Sequence, residues 1–303
     1  MIPAGLLLID KPSGITSHGV VSVVRRTLHT RKVGHAGTLD PMATGVLVLG
    51  VERATRVLGY LALSDKEYLA TIRLGAATVT DDFEGDVLST AEPVVLRSIS
   101  DEAIAAEVSV LTGEIDQVPS AVSAIKVDGK RAHALVRAGE DVVLKSRRVT
   151  VQGFDVQAIR RGLDFIDLDV VVNCSTGTYV RALARDLGAV LGVGGHLTAL
   201  RRSRVGSWSQ DEVVSLQAFT DSADPAAHLM GLDAVAARAF RTREVTNAEA
   251  EFIRTGRIIP WAEPTGAVSL PAEPVALVTD QGRLLALAQR RGGDAKYLAV
   301  FAE

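Results

Sequence analysis

Cysteine is nearly absent from this chain: Cys174 stands alone among 303 residues. No disulfide can close within the chain, and a reducing compartment is expected. Long hydrophobic runs are missing too, with nothing approaching the roughly 18–20 apolar residues of a membrane-spanning helix. The short run Gly5-Leu6-Leu7-Leu8-Ile9 has neither a basic flank nor a cleavage site, so no signal peptide is expected. These absences predict a cytoplasmic protein with no membrane partner. The six histidines are scattered without zinc-ligand spacing. Glycine-rich stretches such as Gly45–Gly50 do not end in the Gly-Lys-Ser/Thr of a phosphate-binding loop. Gly192-Val193-Gly194-Gly195 leaves a dinucleotide fingerprint incomplete and follows a helical pattern. No Gly-x-Ser-x-Gly elbow occurs. Chemistry here has to run without an obvious metal, nucleotide or serine triad.

Net positive charge is also lacking. The formal balance is −3, which taken globally argues against a nucleic-acid binder. The distribution is uneven, however. Residues 1–60 carry Lys11, Arg25, Arg26, Arg31, Lys32, Arg53 and Arg56 against Asp10, Asp40 and Glu52. Residues 126–148 carry Lys126, Lys130, Arg131, Arg137, Lys145, Arg147 and Arg148 against Asp128, Glu140 and Asp141. Such local patches suit a specific polyanion partner and, equally, ordinary solvated faces.

What is present is enough for folded cores: 47% of the residues are hydrophobic and 23% charged, and the length suggests two domains. Gly5–Ile9 reads as a buried strand closed by the turn Lys11-Pro12-Ser13-Gly14, with Thr16 or Ser17 capping a helix that runs to about Leu28. Val46–Val51 reads as a central strand. Tyr68, Ala70, Ile72 and Leu74 alternate with Leu69, Thr71 and Arg73, and Ile166, Leu168, Val170, Val172 and Cys174 alternate with Asp167 and Asp169, the period of a strand. Ser100 opens a helix closed by Gly113, and Thr178–Leu191 is a helix with Val180, Leu183, Ala184, Leu187 and Leu191 on one face. Gly129–Gly139 reads as a short basic helix. Strands and helices mix without strict βαβ alternation, which predicts an α+β fold with a mixed sheet. The pattern breaks around Asp221–Gly231. Beyond it, a Thr246/Glu249 capping box and strands at Val275–Thr279, Leu284–Gln289 and Tyr297–Phe301 predict a small β-rich domain. The expected domains are therefore 1–230 and 231–303, the second separable from the chemistry of the first.

The most informative stretch is Gly34-His35-Ala36-Gly37-Thr38-Leu39-Asp40-Pro41-Met42-Ala43-Thr44-Gly45. Two glycines three apart permit close backbone approach to a ligand. Pro41 disfavours helical backbone at Asp40 and removes a donor beside it. A carboxylate on a stiff loop beside basic residues can serve as nucleophile or base. The same residues also fit a plain Asp-Pro turn with Asp40 as a cap.

Lys11-Pro12-Ser13-Gly14-Ile15-Thr16-Ser17, the Gly34–Leu47 stretch, Lys66-Glu67-Tyr68 and Gly177-Thr178-Tyr179-Val180-Arg181 occur in that order. Together with Asp186-Leu187-Gly188 and Leu200-Arg201-Arg202 they resemble the TruB family of pseudouridine synthases, from about residue 5 to Arg204. That resemblance implies isomerisation of uridine 55 in the T loop of tRNA, with a flipped-out target base and neither metal nor cofactor. It also implies Asp40 as the nucleophile, Tyr68 stacked on the uracil, and Arg181 paired with the nucleophile to keep it ionised. His35 falls on the residue that takes the vacated stacking position, Leu200 on an apolar pocket residue, and Tyr179 next to Arg181 among the substrate contacts. Lys11 and Arg56 match basic positions near the site, with a structural or phosphate role open. Residues 120–148 resemble an insertion that grips the T loop through Lys126, Lys130, Arg131 and His133, the last standing where an aromatic is common. The tail from about Leu232 resembles a PUA domain, an RNA-binding β-barrel, although it carries no basic excess. A tRNA-modifying monomer without an obligate protein partner is expected, with help in tRNA folding as a second role. A glycoside hydrolase would need two carboxylates facing one bond, and only Asp40 has such a context.

Overall fold

The computed structural model describes residues 2–122, 126–127, 130–131, 144–263 and 274–302. They form two compact units, one of residues 1–64 with 204–303 and one of residues 65–203. The architecture is α+β with mixed strand pairing, as the sequence pattern predicts.

In the first unit the apolar run becomes strand β1 (Gly5–Lys11), antiparallel to β3 (Thr44–Val51), which also pairs with β2 (Val33–His35). A short strand at Val214–Ser215 runs parallel to β1. Alternation explains why the run is apolar throughout. Leu7 and Ile9 pack with Leu47, Leu49 and Val51 against Val20, Val21 and Val24 of the helix Ser17–Thr27. Leu6 and Leu8 face the other way, with Val46 and Val48, into a second core. Both faces of the pair are buried, so neither can be polar. Thr16 caps the helix, its side chain accepting from the Gly19 N–H at 2.9 Å.

The second core contains the tail. Val235, Ala236, Ala239 and Phe240 of the helix Leu232–Ala239 and its C-cap join it, as do Ala276, Leu287, Ala299 and Phe301. The strands Val275–Val278, Leu284–Arg291 and Asp294–Val300 pair antiparallel, with Thr242–Glu244 added in parallel. The Thr246/Glu249 capping box is formed, opening the helix Asn247–Arg254. Patterning draws a boundary at 230/231, but the packing groups described residues from both sides of it with the N-terminal segment. Strand pairing does the same, since Met230 and Gly231 pair with Leu6 and Gly5.

This grouping changes what truncation should do. Removing residues 231–303 uncovers Leu6, Leu8, Val46 and Val48, all buried. At about 1.5–3 kcal/mol per side chain that is about 6–12 kcal/mol, comparable to a whole domain's stability. The truncated chain should therefore be insoluble or lack a cooperative melting transition by circular dichroism. A soluble fragment melting within a few degrees of the intact protein would refute the shared core.

In the second unit the strand order is β12 (Gly195–Val205), β4 (Lys66–Leu74), β11 (Ile166–Cys174), β10 (Arg147–Arg161) and β7 (Gly113–Gln117). Register places Tyr68 opposite Val172 and Arg73 opposite Asp167. Arg73 holds Asp167 by two bonds of 2.7 Å, which is how an acidic residue is buried in this sheet. Ser100 caps the helix Asp101–Val110 as its sequence predicts. The basic helix expected at Gly129–Gly139 is not what begins there. Lys130–Arg131 is extended and pairs with Lys126–Val127, while residues 132–139 lie outside the described residues. Among the described residues no helix is long and apolar enough to cross a membrane.

Candidate active site

In the first unit the Asp40 loop is held at every residue. Ser17 Oγ donates to the Leu39 carbonyl at 3.0 Å and accepts from the Leu39 N–H at 2.8 Å. The Asp40 carbonyl accepts from Ala43 N–H at 3.1 Å. The Pro41 carbonyl accepts from Gly14 N–H at 2.9 Å and from Lys11 Nζ at 3.1 Å, and the Met42 carbonyl accepts from Ser13 Oγ at 3.2 Å. Each carbonyl from Leu39 to Met42 is thus satisfied. The Lys11–Ser17 motif serves three of these four carbonyls and supplies four of the five donors. Gly37 enters the loop at φ +90°, in the left-handed region that disfavours side chains. Asp40 is half-buried between buried Leu39 and Met42, so its carboxylate is carried on a pinned backbone. His35, on β2, is half-buried nearby in the chain.

Lys11, expected among the RNA contacts, has 0% exposure. Its Nζ donates to the carbonyls of Pro12 at 2.9 Å, Ile15 at 2.7 Å and Pro41 at 3.1 Å. A buried ammonium clamping two loops is not a phosphate contact. Replacing it with Met should strip three carbonyls of a donor and cost at least about 2 kcal/mol of stability. The slope of log tRNA affinity against log salt should stay unchanged, because no phosphate contact is lost. A slope reduced by about one contact would restore the RNA role.

Arg56 is exposed, but its guanidinium is engaged within the protein. Nη1 donates to the Val300 carbonyl at 2.6 Å and the group stands 5.8 Å from the Phe301 ring centroid. Arg53 Nη1 donates to the Phe301 carbonyl at 3.1 Å. Arg56 thus anchors the tail, a role its sequence context did not suggest.

In the second unit Tyr68 is buried on β4 and Leu200 is buried on β12. Lys66 shares the buried face of β4 with Tyr68, and burial, aided by the charge of Arg202, pulls its pKa down to about 8. Cys174, opposite Lys66, is free and buried, with its thiol pushed up to about 11 by burial. Tyr179 precedes the helix Val180–Val190. Its N–H donates to Gln117 Oε1 at 2.8 Å and its carbonyl accepts from Gln117 Nε2 at 3.1 Å.

Arg181 is 3% exposed in the first turn of that helix. It donates to the carbonyls of Thr80 at 2.7 Å and Val122 at 3.0 Å, and its Nη1 lies 3.5 Å from Asp82 Oδ2. Asp82 Oδ1 in turn accepts from the Thr80 hydroxyl and from the Glu84 N–H at 3.0 Å. A buried arginine needs such partners, and this one is no surface helix charge. Sequence reasoning missed Asp82, Asp81, Arg185 and Gln117. One signal was available: two adjacent aspartates in a short turn, and two arginines four apart on a helix whose other charged residue is Asp186. Lys126, Lys130 and Arg131 lie in the hairpin described above, and His133 lies outside the described residues.

The fold and the matching domain models define the class, a pseudouridylate synthase. Residues 25–180 match the N-terminal domain of TruB family pseudouridylate synthases, and residues 181–235 match the tRNA pseudouridylate synthase B C-terminal domain. The chain belongs to the TruB family. It is 53% identical over 304 residues to the tRNA pseudouridine synthase B of Leifsonia xyli, spanning 99% of this chain and 97% of that protein. To its counterpart in Rhodococcus jostii it is 54% identical over 301 residues, spanning 99% and 94%. A solved Cbf5–Nop10–Gar1 complex contains a chain of the same fold, with TM-score 0.71 and 24% identity, covering 100% of this chain and 84% of that one.

Proposed function

We propose that this enzyme converts uridine 55 in the T loop of tRNA to pseudouridine, with Asp40 as the nucleophile. The observation that carries the reading is the Asp40 loop, whose four successive carbonyls from Leu39 to Met42 are all hydrogen-bonded. A reaction that cleaves and remakes a bond at one carbon gains from a carboxylate that cannot wander. In the reaction the N1–C1′ bond breaks, the uracil rotates, and a C5–C1′ bond forms. The C5 proton leaves, and N1 carries a proton in the product. Attack on C1′ or on the ring uses the same ionised carboxylate. Arg181 serves as the cation that keeps Asp40 charged, and Tyr68 as the aromatic against the uracil. His35 fills the vacated stack, Leu200 lines the pocket, and Tyr179 contacts substrate.

The reading extends to the grip on RNA. Lys126, Lys130, Arg131 and His133 hold the T loop, and the C-terminal sheet is a PUA-like RNA-binding element. No metal or cofactor takes part, the enzyme acts as a cytoplasmic monomer, and flipping the base helps tRNA refold. The test is incubation with an unmodified tRNA transcript and mapping of pseudouridine by position. Product at position 55 alone is expected. Product elsewhere, or none with folded enzyme, rejects the assignment.

A further inference from the structure

We propose that Asp81 and Arg185 are positioning residues for Arg181, forming a second ion pair that fixes the loop Thr78–Gly85 against the helix Val180–Val190. This rests on the reading that Arg181 acts in catalysis.

Of the contacts that hold Arg181, its ion pair with Asp82 is long, at 3.5 Å, where a charge-assisted bond is usually about 2.7–2.9 Å. The shorter contact, 2.7 Å, goes to the carbonyl of Thr80 on the same loop. The guanidinium therefore takes part of its orientation from wherever that loop is held. One turn further along the helix, Arg185 Nη1 lies 3.3 Å from Asp81 Oδ2. Its Nη2 donates to the Val118 carbonyl at 2.7 Å, and its Nε to Asp186 Oδ1 at 2.8 Å. Two consecutive loop aspartates thus meet two arginines four apart, which lie on one helix face. The second pair gives the loop another side-chain tie to the helix, beside that of Asp82.

The loop needs holding. Asp81 has φ +59°, a left-handed conformation that non-glycine residues keep only where the surroundings enforce it. Its carbonyl accepts from Leu197 N–H at 3.0 Å, and Phe83 N–H donates to the Leu197 carbonyl at 2.9 Å. Those backbone bonds tie the loop to β12, and Arg185 ties the Asp81 side chain to the helix. Burial raises the Asp81 carboxyl above the usual carboxylate range, with a hydrogen bond from Ser120 and then the charges of Arg185 and Arg181 acting against it. Both arginines also hold the segment Gln117–Val122, through the carbonyls of Val118 and Val122.

The test uses the full chain and an unmodified tRNA transcript. Arg185→Gln and the near-isosteric Asp81→Asn should each slow the single-turnover rate constant at least about tenfold, with Kd for tRNA within about twofold of wild type. Arg185→Lys should recover part of the rate, since it keeps a cation opposite Asp81. In an Arg181→Lys background, Arg185→Gln should add less than about twofold, because the group it positions is already gone. Unchanged rate constants in both single variants overturn the proposal. So does full multiplicativity with Arg181→Lys, which marks general destabilisation. A silent Arg181→Lys instead removes the underlying reading of Arg181, and this inference with it.

Discussion

Asp40→Asn should abolish turnover while leaving tRNA binding intact. The amide nearly matches the carboxylate in shape, and the loop's hydrogen bonds to Ser17, Gly14, Lys11 and Ser13 all run to backbone atoms of residues 39–42. The substitution should therefore leave the loop where it is and remove only the anion. Loss of a covalent nucleophile acts on the scale of about 10⁴-fold or more in kcat. Affinity is set by contacts along the RNA and should shift little. The measurement is pseudouridine yield at long incubation with enzyme in excess, alongside filter binding. Yield well above the enzyme-free background would reject Asp40 as nucleophile.

Arg181→Lys should lower the single-turnover rate constant by about 100-fold, the scale of a catalytic group misplaced by about 1 Å. Arginine engages the Thr80 carbonyl and Asp82 through Nη1 and the Val122 carbonyl through Nη2, the two arms of one planar fork. Lysine keeps the charge but brings it to a single point on a flexible stem. It cannot meet three partners in those directions, and it leaves buried acceptors short of donors. Some loss of melting temperature is therefore expected together with the rate loss. The rate is the deciding quantity, read at saturating enzyme so that binding does not enter. A rate constant near wild type would mean that Arg181 serves the packing of its helix alone.

Much of the local structure was legible. Strands β4 and β11 showed their alternation, and Thr16, Ser100 and the Thr246/Glu249 pair announced their helices through side chains that bond within three residues. The strand Arg147–Arg161 was not legible, for a physical reason. Its pairing with β11 slips between Val151 and Gly153 and again between Val156 and Ala158, so the two-residue period is broken twice. Strand β12 hid itself differently, by burying His196, Arg202 and Ser203. At the site, the local pattern left Asp40 open between a plain turn and a mounted carboxylate, and the resemblance marked it; the loop's support comes from a motif 22–30 residues away. Arg181's support lies 59 and 101 residues away, at Val122 and Thr80. No local pattern encodes such a pairing. For Lys11 the sequence left a structural and a phosphate role open, and only the folded chain shows two loops closing over its ammonium.

The unit that carries Asp40 is discontinuous in sequence, and this sets an order of events during synthesis. Residues 65–203 form one compact unit whose sequence is complete once residue 203 has been made. Residues 1–64 cannot complete their core then, because Val235, Phe240, Leu287 and Phe301 still have to be made. Arg53 and Arg56 wait for the carbonyls of Phe301 and Val300, more than 240 residues downstream. The scaffold of Asp40 thus closes later than that, and a nascent chain stalled before the strand Asp294–Val300 holds an Asp40 that has no finished unit beneath it.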